Sequence, residues 1–145
     1  MKRYLCFSLL FLFVFTVHAS DAYDKEKILK KTKKYIEYYK TIKLTSKQEQ
    51  IRKEALEAFP APCCKDYSMA TCCCPCNMAK SVWGLSKYLI TKKGYNARQV
   101  RKAAQQWIKD LNPDGFSGTS CKSGRCDLPF NKDGCGGMNP NDVQF

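Results

Sequence analysis

The sequence predicts an all-α protein, a small helical domain of about four helices with an irregular cysteine-rich C-terminal segment. Three observations carry that prediction. Apolar residues between 24 and 111 recur at three- and four-residue spacing, the signature of one helix face. Capping signatures and proline or glycine stoppers divide that span into separate helices. Residues 116–145 are rich in Gly, Ser, Asn and Pro and hold Cys121, Cys126 and Cys135 without any apolar period. No β-alternation of useful length and no internal repeat are found.

Residues 1–19 read as a secretory signal peptide. Lys2 and Arg3 form a charged start, Tyr4 to Val17 is apolar, and Val17-His18-Ala19 offers a cleavage site before Ser20. The apolar run is short for a membrane span, which takes about 20 residues. Export to the periplasm or the extracellular space is the expectation, with 20–115 as the helical domain and 116–145 as a tail packed on it or stapled to it. Twin arginines are absent, so an unfolded chain is exported and a cofactor inserted in the cytoplasm is disfavoured.

Removing 1–19 takes away Cys6 and leaves nine of the ten cysteines. Nine is odd, so at least one thiol is unpaired, ligates a metal or bonds another molecule. The net charge falls from +12 to +10 with the loss of Lys2 and Arg3. His18, the only histidine, also leaves with the signal. Ser-His and Cys-His catalysis, haem attachment and imidazole zinc sites are thereby excluded.

The first helix is expected from Asp24 to about Lys43, with Ile28, Tyr35, Ile36, Tyr39 and Ile42 on one face. Its other faces carry Lys25, Lys27, Lys30, Lys31, Lys33, Lys34, Lys40 and Lys43. A basic helix of this kind is a solvated face or a weak contact for an anionic membrane or an acidic partner. Nucleic-acid binding is not expected, because neither a groove-reading element nor a stacking platform is evident. Ser46-Lys47-Gln48-Glu49 reads as a capping box opening the second helix, which runs to about Phe59 with Ile51, Ala55, Ala58 and Phe59 inward. Pro60-Ala61-Pro62 stops it. Residues 65–71 form a short connector.

The third helix follows the cysteine cluster and reaches about Lys92, with Met78, Val82, Leu85 and Leu89 as its stripe and Gly94 as its C-terminal cap. Asn96-Ala97-Arg98-Gln99 opens the fourth, whose Val100, Ala104, Trp107, Ile108 and Leu111 give the best periodicity in the chain. Asn112-Pro113-Asp114-Gly115 ends it. The short turn around Gly94 makes these two helices an antiparallel pair.

The chemistry lies in the sulfur. Four thiols fall within Cys72-Cys73-Cys74-Pro75-Cys76, directly before a helix. Proline suits the first helical position, which would make Cys74 the N-cap and put Cys76 in the first turn. There the unpaired N–H groups and the helix dipole favour thiolate and lower a cysteine pKa from about 8.5 to roughly 3.5–7.5. Cys73-Cys74-Pro75-Cys76 has the C-x-x-C spacing of a reversible disulfide. Cys74-Pro75-Cys76 is also C-x-C, which chelates a soft ion or closes a strained, oxidising disulfide. A thioredoxin fold is rejected because no strand precedes the motif. Adjacent cysteines seldom pair, since a disulfide wants Cα atoms about 4.4–6.8 Å apart. Cys63, Cys64, Cys121, Cys126 and Cys135 are therefore candidates for structural bridges between groups.

The stretch Thr71-Cys72-Cys73-Cys74-Pro75-Cys76-Asn77-Met78-Ala79-Lys80-Ser81-Val82-Trp83-Gly84-Leu85 resembles the exported bacterial CYCxC proteins, a family related to the PCYCGC-motif proteins. The match covers the motif and the first part of its helix, residues 71–85, about a tenth of the chain. Cys72, Cys74 and Cys76 align with the motif cysteines, whereas Cys73 stands where the family has tyrosine. Some members carry selenocysteine in the motif, which implies redox work; the resemblance supplies neither reaction nor substrate.

Three functions follow as expectations. In the first, Cys72, Cys74 and Cys76 run thiol–disulfide exchange with a partner protein; Cys74 attacks, Cys76 or Cys72 resolves, and Lys80 lies one turn away. In the second, Cys72, Cys73, Cys74 and Cys76, with Cys63 or Cys64, hold Cu(I) or Zn. In the third, the chain is a disulfide-stapled interaction module.

Overall fold

In the computed structural model, residues 18–62, 64–72 and 76–111 are described, with side chains from residue 26 onward. They form helices α1 (His18–Thr41), α2 (Ser46–Glu57), α3 (Asn77–Lys93) and α4 (Ala97–Leu111), and a two-stranded antiparallel hairpin of β1 (Pro60–Ala61) and β2 (Cys64–Ser68). The domain is predominantly helical, as expected. The hairpin is an addition: the stretch expected to be plain connector pairs Pro60 with Ser68 and Ala61 with Cys64. Residues 1–17 of the expected signal segment 1–19, Cys63, residues 73–75 and the tail from 112 lie outside the described residues, and α1 begins at His18, inside that expected segment.

α3 is the central element and packs against α1, α2 and α4. Its stripe is as expected, with Met78, Val82, Leu85 and Leu89 all buried. On α4 the five expected residues Val100, Ala104, Trp107, Ile108 and Leu111 are buried too. The Trp107 indole N–H, near the end of α4, donates to Ser81 Oγ near the start of α3 at 2.9 Å, so the pair is antiparallel. Ser81 Oγ in turn donates to the Met78 carbonyl at 2.8 Å, which satisfies both buried polar groups. Gly94 closes α3 at φ 64°, with its N–H on the Leu89 carbonyl. That backbone conformation suits glycine because a Cβ would press on the adjoining carbonyl oxygen, although the space around it is open.

α1 lies on α3 with almost no gap at Gly84. A Cβ built there would collide with the Tyr35 carbonyl oxygen, and would sit 2.7 Å from Tyr35 C and 2.8 Å from Tyr39 N. Glycine is required in mid-helix here because another backbone occupies the place of its side chain. Around this crossing the rings of Tyr38 and Tyr88 stack at 4.8 Å, and Tyr35 meets Trp107 edge-on at 4.9 Å. Burial pushes the Tyr35 hydroxyl above its ordinary pKa, with the Lys34 charge opposing.

Two local expectations shift. The helix α2 is capped by Thr45, whose side chain accepts from Gln48 N while Gln48 Oε1 accepts from Thr45 N, one residue before the expected box. Glu49 instead clasps Arg52 one turn on. The helix also ends at Glu57, so Ala58 is an exposed C-cap and the buried residues are Ala55 and Leu56. Asn96 and Gln99 do exchange the expected reciprocal bonds, both 3.0 Å.

Candidate functional site

The segment entering the cysteine cluster is fixed from three sides. Met69 is fully buried, its N–H donates to the Phe59 carbonyl at 3.0 Å, and its carbonyl accepts the Trp83 indole N–H at 2.9 Å. A turn follows, with Thr71 N bonded to the Ser68 carbonyl at 3.1 Å and the two hydroxyls 3.0 Å apart. The hairpin and α3 thus hold the chain at Met69, three residues before Cys72.

Cys76 is the N-cap of α3, at φ −67° and ψ 170°, and its carbonyl accepts the first helical bond from Lys80 N at 2.9 Å. The expected frame is therefore displaced: Asn77, not Pro75, is the first helical residue, and Cys76 takes the cap expected for Cys74. The consequence for chemistry is that Cys76 carries the sulfur at the helix start. No acidic residue lies in the first turn of α3, so the positive end of its dipole is left to the cap and its surroundings.

Cys72 is 7 % exposed and Cys76 9 %, and both belong to one buried cluster with Met69, Met78 and Ala79. Cys64 is buried on β2 at 3 % exposure, beyond that cluster. No disulfide joins any two of these three. Cys63, Cys73, Cys74, Cys121, Cys126 and Cys135 lie outside the described residues. Among the described residues, no three Cys, His, Asp or Glu side chains come together as a metal site. Lys80 is half-buried one turn into α3.

The lysines of α1 are mostly outward: Lys27, Lys30, Lys33, Lys34 and Lys40 are exposed, and Lys34 Nζ lies 5.8 Å from the Tyr38 ring centre. Among the described residues, no helix is long and apolar enough to cross a membrane.

A second feature has no counterpart in the sequence reasoning. A cleft of about 300 Å³ is lined by Tyr39, Glu49, Arg52, Ala70, Trp83 and Lys87. These residues come from α1, α2, the exit of the hairpin and α3. Lys87 Nζ donates to the Tyr39 carbonyl at 2.7 Å, which satisfies an acceptor in the last turn of α1. The same ammonium lies 5.0 Å from the Tyr39 ring centre. Its pKa is lowered, first by burial and then by the Arg52 charge, with Glu49 opposing. The Glu49 carboxyl is held below its usual range, chiefly by the hydrogen bond from Arg52. No short-range spacing could have revealed this site, because its residues are 48 positions apart at the Tyr39–Lys87 bond.

Neither a family model, nor a curated protein, nor a solved structure matches this chain.

Proposed function

We propose that this is an exported thiol-based redox protein in which Cys72, Cys74 and Cys76 carry out thiol–disulfide exchange. The observation that supports this reading is Cys76 at the N-cap of α3, with Cys72 and Cys76 both buried in the hydrophobic core. The Cys76 sulfur makes no cap hydrogen bond; the α3 dipole favours its thiolate, the form that resolves a mixed disulfide at Cys74, and burial opposes it. The resemblance of residues 71–85 to the CYCxC proteins points the same way.

The chemistry balances as follows. The Cys74 thiolate attacks one sulfur of a disulfide R–S–S–R; a Cys74–S–S–R bond forms and R–S⁻ leaves and takes a proton. The thiolate of Cys76 or Cys72 then attacks the Cys74 sulfur and expels the second R–S⁻. The substrate gains two electrons and two protons, and the protein is left with one internal disulfide. Re-reduction falls to a dithiol partner protein. Coverage suits Cys72 and Cys76 to the second step, because a covered sulfur meets a mixed disulfide formed beside it more readily than a bulky one from solvent.

The test is turnover of a small aromatic disulfide by the full chain, with thiol counting and metal analysis on the same sample. Cys74→Ser is expected to abolish exchange, and Cys76→Ser to trap the mixed disulfide or shift resolution to Cys72. Unchanged turnover in both variants refutes the proposal. A stoichiometric thiolate-bound copper or zinc ion, lost with these substitutions, replaces it by the soft-metal function. Cysteines permanently cross-linked, with no reducible pair, replace it by a stapled interaction module.

A further inference from the structure

The cleft between α1, α2 and α3 is built as a charged pocket with apolar walls. Arg52 Nε donates to both Glu49 oxygens, at 3.0 and 3.1 Å, which fixes the plane of the guanidinium. Trp83 is pinned by its indole bond to Met69, and its ring lies 5.5 Å from that of Tyr39. Lys87 is anchored by the Tyr39 carbonyl. The lining side chains are thus ordered before any ligand arrives, which removes much of the entropic cost of binding.

The charges do not cancel. Arg52 and Lys87 face one carboxylate, Glu49, leaving one net positive charge on the lining. Glu49 is engaged by Arg52 and offsets the Lys87 charge less than burial and Arg52 disfavour it. An ammonium has three donors, and Lys87 commits one to Tyr39. The rest of the lining is Trp83, the small side chain of Ala70, and Tyr39, whose ring centre lies 5.0 Å from the Lys87 ammonium. A volume of about 300 Å³ corresponds to roughly ten waters at their share of liquid volume. That suits a molecule of about the same number of heavy atoms.

We propose that this cleft binds a small organic monoanion, a carboxylate on a flat apolar body, with the carboxylate against Lys87 and Arg52 and the body against Trp83 and Tyr39. The single net charge favours a carboxylate over a phosphate, and the aromatic walls favour a ligand with an apolar part. The site uses no cysteine, so it stands or fails apart from the exchange chemistry.

The experiment is an NMR titration of the full chain, following the indole N–H of Trp83 and the Nε–H of Arg52. The probes are phenylacetate, its neutral isostere phenylacetamide, acetate and inorganic phosphate. Phenylacetate is expected to shift both signals saturably and to leave the Trp107 indole unmoved. Phenylacetamide and acetate should each bind about 10-fold more weakly, since each lacks one half of the recognition. Arg52→Gln should weaken phenylacetate about 10-fold, the loss of one charge-assisted contact. Lys87→Met tests the other cation, and Lys87→Arg restores binding if loss of the α1 cap disturbs the fold. Lys30→Gln, on the exposed face of α1 and outside the lining, should bind as the wild type does. Absence of saturable shifts, equal binding of phenylacetamide, tighter binding of phosphate, or indifference to Arg52→Gln each overturns the proposal.

Discussion

Gly84→Ala places a methyl group against the backbone of α1. Judged by helix propensity alone, the change should stabilise α3 by about 1 kcal/mol. The crossing reverses the sign. The new Cβ would overlap the Tyr35 carbonyl oxygen and lie 2.7 and 2.8 Å from two further backbone atoms, none of which can rotate away. Relief requires α1 to move as a body. Overpacking of this kind costs about 1–3 kcal/mol. Moving α1 also loosens the Tyr38–Tyr88 and Tyr35–Trp107 pairs, each contributing roughly 0.5–1.5 kcal/mol. Subtracting the propensity gain leaves a net loss of about 1–5 kcal/mol, with a midpoint of about 3 kcal/mol. For a domain of this size that corresponds to a fall in Tm of about 10–20 °C. Gly94→Ala is the control. It has open space around it but a φ of 64°, so it should cost only the left-handed penalty, about 1–2 kcal/mol. The assay is urea unfolding of both variants followed by circular dichroism. If Gly84→Ala is as stable as the wild type, or less damaging than Gly94→Ala, the close approach of α1 and α3 is refuted.

Three further outcomes follow from the same geometry. Ser81→Ala strands the buried Trp107 indole donor and should cost about 1–3 kcal/mol in chemical denaturation, whereas Trp107→Phe in that background should recover part of the loss. Trp83→Phe removes the bond to the Met69 carbonyl, at about 1 kcal/mol, and should speed labelling of Cys72 by a thiol reagent, measured by mass spectrometry; an unchanged labelling rate would break the link between that bond and the cysteine segment. The Glu49–Arg52 clasp depresses the Glu49 pKa from 4.5, so its stabilisation is present above the unfolded pKa and fades as pH falls through the lower folded value. Because Glu49 is about half exposed, Glu49→Gln should cost only about 0.2–1 kcal/mol at neutral pH and lose that effect in acid, as read from pH-dependent unfolding.

Short-range patterns in this chain were readable because they reflect local physics. The stripe of α4 is a period of 3.6 residues, and each of its five members is buried. Asn96 and Gln99 exchange backbone bonds across three residues and need no tertiary partner. Where two local solutions overlapped, the sequence could not choose. Thr45-x-x-Gln48 and Ser46-x-x-Glu49 are both capping boxes in form; Glu49 goes to Arg52, and the earlier frame forms. The cluster presented the same ambiguity, with Pro75 suggesting a first helical residue two positions before the observed one, Asn77. The hairpin was missed because its strands are two and five residues long, too short for alternation to register.

By itself the sequence determined a predominantly helical domain, the stripes of α3 and α4, and the gathering of sulfur just before α3, since all three depend on residues within a few turns of one another. Tertiary structure alone decided that Gly84 is a contact point, that Thr32, Ser81 and Ser86 are buried polar residues, and that Tyr39, Arg52, Trp83 and Lys87 share one cleft. Those facts arise from the packing of α1, α2 and α4 against α3. That packing is set by the shapes of helix faces far apart in the chain, and a periodicity records which residues turn inward but not what they meet.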